Sequence, residues 1–150
     1  MKQLSVGNQQ RRYPVATREA RNATGILMDE LLELDAYDLS ILFVNETRMA
    51  QINKTYLQHE GPTDIITFDY CTPTLLHGEL VICPAVASEQ AKKYRASLGR
   101  EFARYIIHGV LHLQGFDDQT PSVRRKMKGE ENRLLQKLAR RFPIDSLAHG

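Results

Sequence analysis

The chain has 150 residues, 42% of them apolar and 25% charged, and a net charge of +2. That suits one domain spanning residues 1–150, with enough interior for a real core, and it excludes collagen-like, coiled-coil and disordered classes. No apolar run nears the ~20 residues that a membrane-spanning helix needs. MKQLSVGNQQRRYPV lacks the apolar stretch of a secretory signal, and Cys71 and Cys83 form no CxxC pair. The expectation is therefore a reducing, cytoplasmic setting with no membrane partner.

Residues 3–7 read as an opening strand and Gln9–Arg12 as a polar turn. Pro14 suits the first turn of a helix that runs to about Leu34, with Val15, Ala23, Ile26, Leu27, Leu31 and Leu34 at helical spacing. Asp38–Val44 reads as a mostly buried strand ended by Asn45-Glu46, and Thr47–Tyr56 as a second helix with Met49, Ile52 and Tyr56 on one face. Gly61-Pro62 breaks the loop 59–63. DIITF at 64–68 and GELVIC at 78–83 read as strands, with a loop over 69–77. Helices follow at about 84–96, 99–114 and 121–141, with Ser97 as a cap and Thr120-Pro121 as a start. The order β-α-β-α-β-β and then three helices predicts an α+β fold, a small mixed sheet with helices around it.

Charge is uneven along the chain. Residues 124–141 carry Arg124, Arg125, Lys126, Lys128, Arg133, Lys137, Arg140 and Arg141 against only Glu130 and Glu131. Such a stretch can attract phosphates, and it is equally what a solvated helix face looks like.

The segment with chemical content is HGVLHLQGFDD, 108–118. On a helix, His108 and His112 share one face, so both imidazoles can reach one ion. Gly115 can end that helix in a left-handed turn, after which Asp117 or Asp118 can return as a third ligand. Two imidazoles and a carboxylate are a common catalytic zinc set with a position left for water. A bare HxxxH pair arises often by chance, and packed or surface histidines are the plain alternative. Metalloproteases place a glutamate directly after the first histidine as general base; here that residue is Gly109, which counts against proteolysis.

These residues resemble the signature H-G-x-L-H-L-x-G-[YF]-D-H of the YbeY family of endoribonucleases, also called ribosomal RNA maturation factors. QINKTYLQHEGPTDIITFDY (51–70) is similar to the family's L-N-x-x-Y-R-x-x-D-x-P-T-D-V-L-S-F, and GELVIC to its G-D-I-V-I-C strand. Met127 and Glu131 fit its M-x-x-x-E. Two positions depart from the pattern. Asp118 stands at the third histidine, where a carboxylate can still bind a metal as a harder, charged ligand. Leu57 stands where the family often has an arginine that engages RNA phosphate.

The resemblance implies a metal in an open cleft, held by His108, His112 and Asp118. The ion it implies is zinc, with manganese or another divalent ion as the alternative that Asp118 opens. It implies a single-strand-specific endoribonuclease acting on ribosomal RNA, with the small ribosomal subunit or its assembly proteins as partners. Basic residues of the last helix and of 92–104 (Lys92, Lys93, Arg95, Arg100, Arg104) would position the RNA backbone. His59 and Lys54, near Leu57 in sequence, are candidates for a proton donor or a cation; an exposed loop residue is the plain reading of His59. Asp117 reads as a turn residue, Thr63 and Asp64 as loop hydrogen-bonders, and Glu79 as either cleft-facing or structural. Glu131 reads as a partner of a ligand or of a nearby Arg or Lys, Cys83 as a buried small hydrophobe, and His77 and His149 as residues with no identifiable partner. Two other classes stay open: an assembly factor that binds RNA without cutting it, and a metal hydrolase of another small substrate.

Overall fold

From Tyr37 to Phe43 burial alternates: Tyr37, Leu39, Ile41 and Phe43 are buried, and Asp38, Ser40 and Leu42 between them are not. This period of two belongs to a strand that gives one face to a core. In the computed structural model, which describes residues 1–149, that strand is β2 (Tyr37–Phe43), interior to a four-stranded sheet. With β1 (Lys2–Asn8), β3 (Ile65–Asp69) and β4 (Leu76–Ile82) the spatial order is β1-β2-β4-β3. β1 and β4 flank β2 in parallel, with Leu4 opposite Leu39 and Leu80 opposite Ile41. β3 runs antiparallel along the edge, Ile66 opposite Val81. The sheet is therefore small and mixed, as expected.

The helices are α1 (Thr17–Ile26), α2 (Glu46–Leu57), α3 (Pro84–Lys93), α4 (Leu98–Leu113) and α5 (Pro121–Arg141). Asn45, Ser97 and Thr120 cap α2, α4 and α5 by accepting from the N–H of Arg48, Arg100 and Val123. Pro84 and Pro121 open α3 and α5, where a missing N–H costs nothing. No described helix is long and apolar enough to cross a membrane.

α4 lies on the sheet face formed by Leu39, Ile41, Phe43, Leu80 and Ile82, and buries Phe102, Ile106, Ile107, Val110 and Leu111 there. Phe43 and Phe102 meet edge-on with ring centroids 5.0 Å apart. Each large side chain buried this way contributes about 1.5–3 kcal/mol. The approach is close: a Cβ on Gly109 would stand 2.5 Å from Leu80 Cδ2. On the other face, α2 sets Met49 and Ile52 against Val44, Ile66, Val81 and the fully buried Cys83.

Three local expectations differ. Pro14 lies outside α1, which starts only at Thr17: Ala16 before it is extended, at φ −92° and ψ 92°, and its N–H bonds to the Leu147 carbonyl at 2.8 Å. α1 does not stay regular to Leu34 but passes into a π-helical turn, Leu27–Leu31, closed by Leu32 N–H to Leu27 O. The segment 69–77 is not all loop, since pairing with β2 carries β4 back to Leu76. A 3-10 segment, Ile144–Ala148, was not anticipated; it packs against the first turn of α4, where Asp145 accepts from the Ser97 hydroxyl.

Candidate metal centre

The last two turns of α4 carry His108 and His112 on the one face of that helix that is not wholly buried. Gly115, at φ +101°, then reverses the chain, a conformation that side chains other than glycine resist. The reversal brings Asp118 back beside the imidazoles, and one ligand atom from each of His108, His112 and Asp118 lies within 4.8 Å of the others. Arg124 steadies the turn by donating Nε–H to the Asp118 carbonyl at 3.2 Å. Asp117 faces away and accepts from the Gln119 N–H, a turn residue as expected.

Both rings are oriented from behind. His108 Nδ1 lies 2.9 Å from Glu131 Oε2, and His112 Nδ1 lies 3.1 Å from the Phe116 carbonyl oxygen. These acceptors hold the proton on each Nδ1 and leave both Nε2 atoms with lone pairs. The two Nε2 atoms face each other 3.1 Å apart. Lone pairs so placed repel unless a cation lies between them. Two nitrogens bound 2.0–2.1 Å from a tetrahedral ion sit about 3.3 Å apart, so this donor set fits a divalent metal. Burial, then the neighbouring His108, hold the pKa of His112 below the ordinary histidine value against the pull of Asp118, which keeps its ring neutral and able to ligate.

Glu131, only 3% exposed, is tied into this arrangement on both sides. Besides His108 it takes Lys128 Nζ at 3.3 Å and has Arg104 Nη1 at 3.7 Å. Burial works to raise its pKa, but the bonds from His108 and Lys128 win and hold the carboxyl below its usual range. Glu131 backs a histidine of the pair, as the first reading expects, and its pairing with Lys128 is made from a buried position rather than as an ordinary surface pair.

The centre opens into a cleft of about 770 Å³. Of the many cations expected to face RNA, only Arg104, Arg124 and Lys128 line it. Arg133 instead pairs with Glu130, and Arg141 with Glu30. Five carboxylates line the same cleft: Asp64, Asp69, Glu101, Asp118 and Glu131. They outnumber the cations by two, the charge of one divalent ion.

Leu57 lines the cleft; Lys54 and His59 do not. α2 ends at Leu57, Gln58 turns left-handed at φ 57°, and the His59 N–H bonds back to the Asn53 carbonyl, so the chain leaves the cleft there. Asp64 accepts from the Ile65 N–H at 2.7 Å and from the Thr63 hydroxyl, the loop role expected of that pair. Glu79 is exposed and does not line the cleft. His77 does have partners: Nε2 is 3.8 Å from Asp38 Oδ2, and its ring abuts Tyr70. His149 is exposed after the final 3-10 turn. Sequence reasoning did not single out Glu101 and Tyr105, which also line the cleft, whereas Arg104 was expected to face RNA and does line it. Their signal was present: 101, 104, 108 and 112 form a polar stripe at helical spacing on an apolar helix.

Comparison with known proteins identifies the fold and the family. The solution structure of TM1509 from Thermotoga maritima superposes with a TM-score of 0.66 over 90% of this chain and 88% of that one, at 18% identity, and so shares the fold. The "Endoribonuclease YbeY" of Chlorobium luteolum is 39% identical over 105 residues, which is 70% of this chain and 77% of that protein. The protein of the same description from Bacteroides thetaiotaomicron is 39% identical over 98 residues, 65% of this chain and 72% of its own length. The profile of the family described as "Endoribonuclease YbeY" matches residues 5–139, and with relatives at this identity the chain belongs to the YbeY family.

Proposed function

We propose that the chain is a metal-dependent, single-strand-specific endoribonuclease of small-subunit ribosomal RNA maturation and ribosome quality control, working in the cytoplasm on the ribosomal subunit or its precursors. The ion is held by His108, His112 and Asp118, with zinc as the first candidate. The observation that carries the reading is the pair of imidazole Nε2 atoms facing each other 3.1 Å apart, each ring fixed from behind, beside Asp118 in an open cleft. Family membership supplies RNA as the substrate.

A divalent ion there supplies Lewis-acid chemistry for phosphodiester hydrolysis. The chain's own residues do the rest. Glu131 and the Phe116 carbonyl keep both ring protons on Nδ1 and so set the direction of both Nε2 lone pairs. Arg104, Arg124 and Lys128 flank the centre and take the phosphate backbone, fixing register without reading sequence. Gly109, where a peptidase has its glutamate, faces Leu80 in the core, so no carboxylate from that position reaches the centre. Leu57 gives the opposite wall an apolar contact in place of a cation.

The test compares cleavage of single-stranded RNA by the wild type and by His112→Ala, purified side by side with added zinc or manganese and checked for folding. Cleavage by the wild type alone is the expected result. Equal cleavage by both assigns the activity to a contaminant or another site. Cleavage by neither, with RNA still bound, favours an assembly factor that binds without cutting.

A further inference from the structure

Four aromatic rings run in contact across the sheet face opposite α4. Tyr56, in the last turn of α2, meets Phe68 of β3 edge-on with centroids 5.5 Å apart. Phe68 lies nearly parallel to Tyr70, 12° between planes at 6.5 Å, and Tyr70 meets His77 of β4 at 5.4 Å. Two of these rings face water, Tyr56 being 65% and Tyr70 46% exposed. Phe68 between them packs onto the smaller core and anchors the row, while Tyr56 and Tyr70 stay open, and exposed aromatic patches of this kind mark contact surfaces.

β3 joins this row to the cleft. Ile65, Ile66, Thr67 and Asp69 of β3 line the cleft, while Phe68, which packs with Ile66 on the other face, and Tyr70 just past the strand do not. Leu57 lines the cleft, and its neighbour Tyr56 starts the row. β3 is the edge strand, so the ridge between the two surfaces is one strand wide, about 4.8 Å. A polynucleotide that leaves the metal centre past Thr67 crosses this edge and meets the rings.

We infer that the row is a stacking platform for bases of single-stranded RNA flanking the scissile bond, an assignment that rests on the ribonuclease reading above. Aromatic faces hold single strands by stacking successive bases, with little sequence preference. The charge on this face argues for bases over phosphates. Glu79 sits opposite Phe68 in the β3–β4 register and Asp38 sits beside His77, so phosphates there turn outward. Binding at the row is therefore insensitive to salt, whereas binding through Arg124 and Lys128 in the cleft weakens with it.

The chain contains no tryptophan. Tyr70→Trp places a single indole on the row, and Tyr94→Trp places one on the cleft lining, where Tyr94 is exposed. Each full-length, zinc-loaded variant is mixed in stopped flow with a single-stranded oligouridylate of about 12 nucleotides, inside the ~4–16 nucleotide range of single-strand sites, so that binding is read before cleavage. Quenching of both indoles by the single strand, and not by a duplex, is expected. In the otherwise native protein, Tyr56→Ala with Tyr70→Ala weakens binding about tenfold for each base lost, and Tyr56→Phe with Tyr70→Phe restores it. Quenching of Tyr94→Trp alone overturns the platform and leaves the ribonuclease reading standing. Quenching of neither overturns both. Emission of Tyr70→Trp that changes with protein concentration in the absence of RNA also overturns the platform, because a second copy then covers the row.

Discussion

On one side of the cleft α4 presents His108 and His112 from a helix otherwise packed into the core, and α5 puts Glu131 behind them, almost wholly shut off from water. On the other side α2 ends in Leu57, 43% exposed, and the edge strand β3 adds Thr67 and Asp69 with no strand beyond them. Each histidine of the first wall has a second group fixing its angle. On the second wall Leu57 has no polar group to fix. The difference separates tasks. Metal geometry tolerates errors of tenths of an ångström, so it is built where packing and hydrogen bonds over-determine position. Substrate contact is looser, and an apolar side chain such as Leu57 can supply it.

Asp118→Ala tests the first wall most severely. It removes a ligand, and the loss of zinc affinity, read by chelator competition, should exceed the 10–100-fold typical of losing an outer partner. Glu131→Gln comes next. The amide can still accept from His108 but carries no charge, so zinc affinity should fall about 10–100-fold with the fold intact; unchanged affinity would erase the contrast between the walls. Gly109→Ala disturbs only packing: the new methyl meets Leu80 and costs about 1–3 kcal/mol, or about 2–4 °C in Tm per kcal/mol, measured by calorimetry. The smallest effect belongs to the second wall. Leu57→Arg adds one cation facing the cleft and should steepen the dependence of log Kd for RNA on log salt by about 0.7, without changing zinc affinity. A change in zinc affinity there would show that the walls are coupled.

Much of this was legible because it is local. His108 and His112 share a face by helical spacing alone, Gly115 marks the reversal, and Ser97 and Thr120 mark helix starts by their side chains. What was hidden depends on partners distant in sequence. Glu131 reaches His108 across 23 positions, and only the M-x-x-x-E resemblance pointed to it. Lys54 and His59 were attractive because they flank Leu57 in sequence, but the left-handed Gln58 turns the backbone away from the cleft, and propensity at a single residue does not announce such a turn. The basic stretch of α5 was visible as charge, but which cations meet the cleft is set by the helix's rotation against α4, which admits Arg124 and Lys128 and spends Arg133 and Arg141 on ion pairs. The 3-10 segment, Ile144–Ala148, is too short to show a period, and its shape comes from what it packs against.

The tight seat of Gly109 against Leu80 has a consequence for descent. In sequence, one substitution, at Gly109, separates His-Gly-x-x-His from the His-Glu-x-x-His frame of metallopeptidases. In space the path is shut, because a side chain at 109 enters the sheet before it can approach the metal. A chain with this sheet–helix contact does not reach peptide hydrolysis by that step alone. The contact that holds the helix to the sheet also confines the chemistry its descendants can reach.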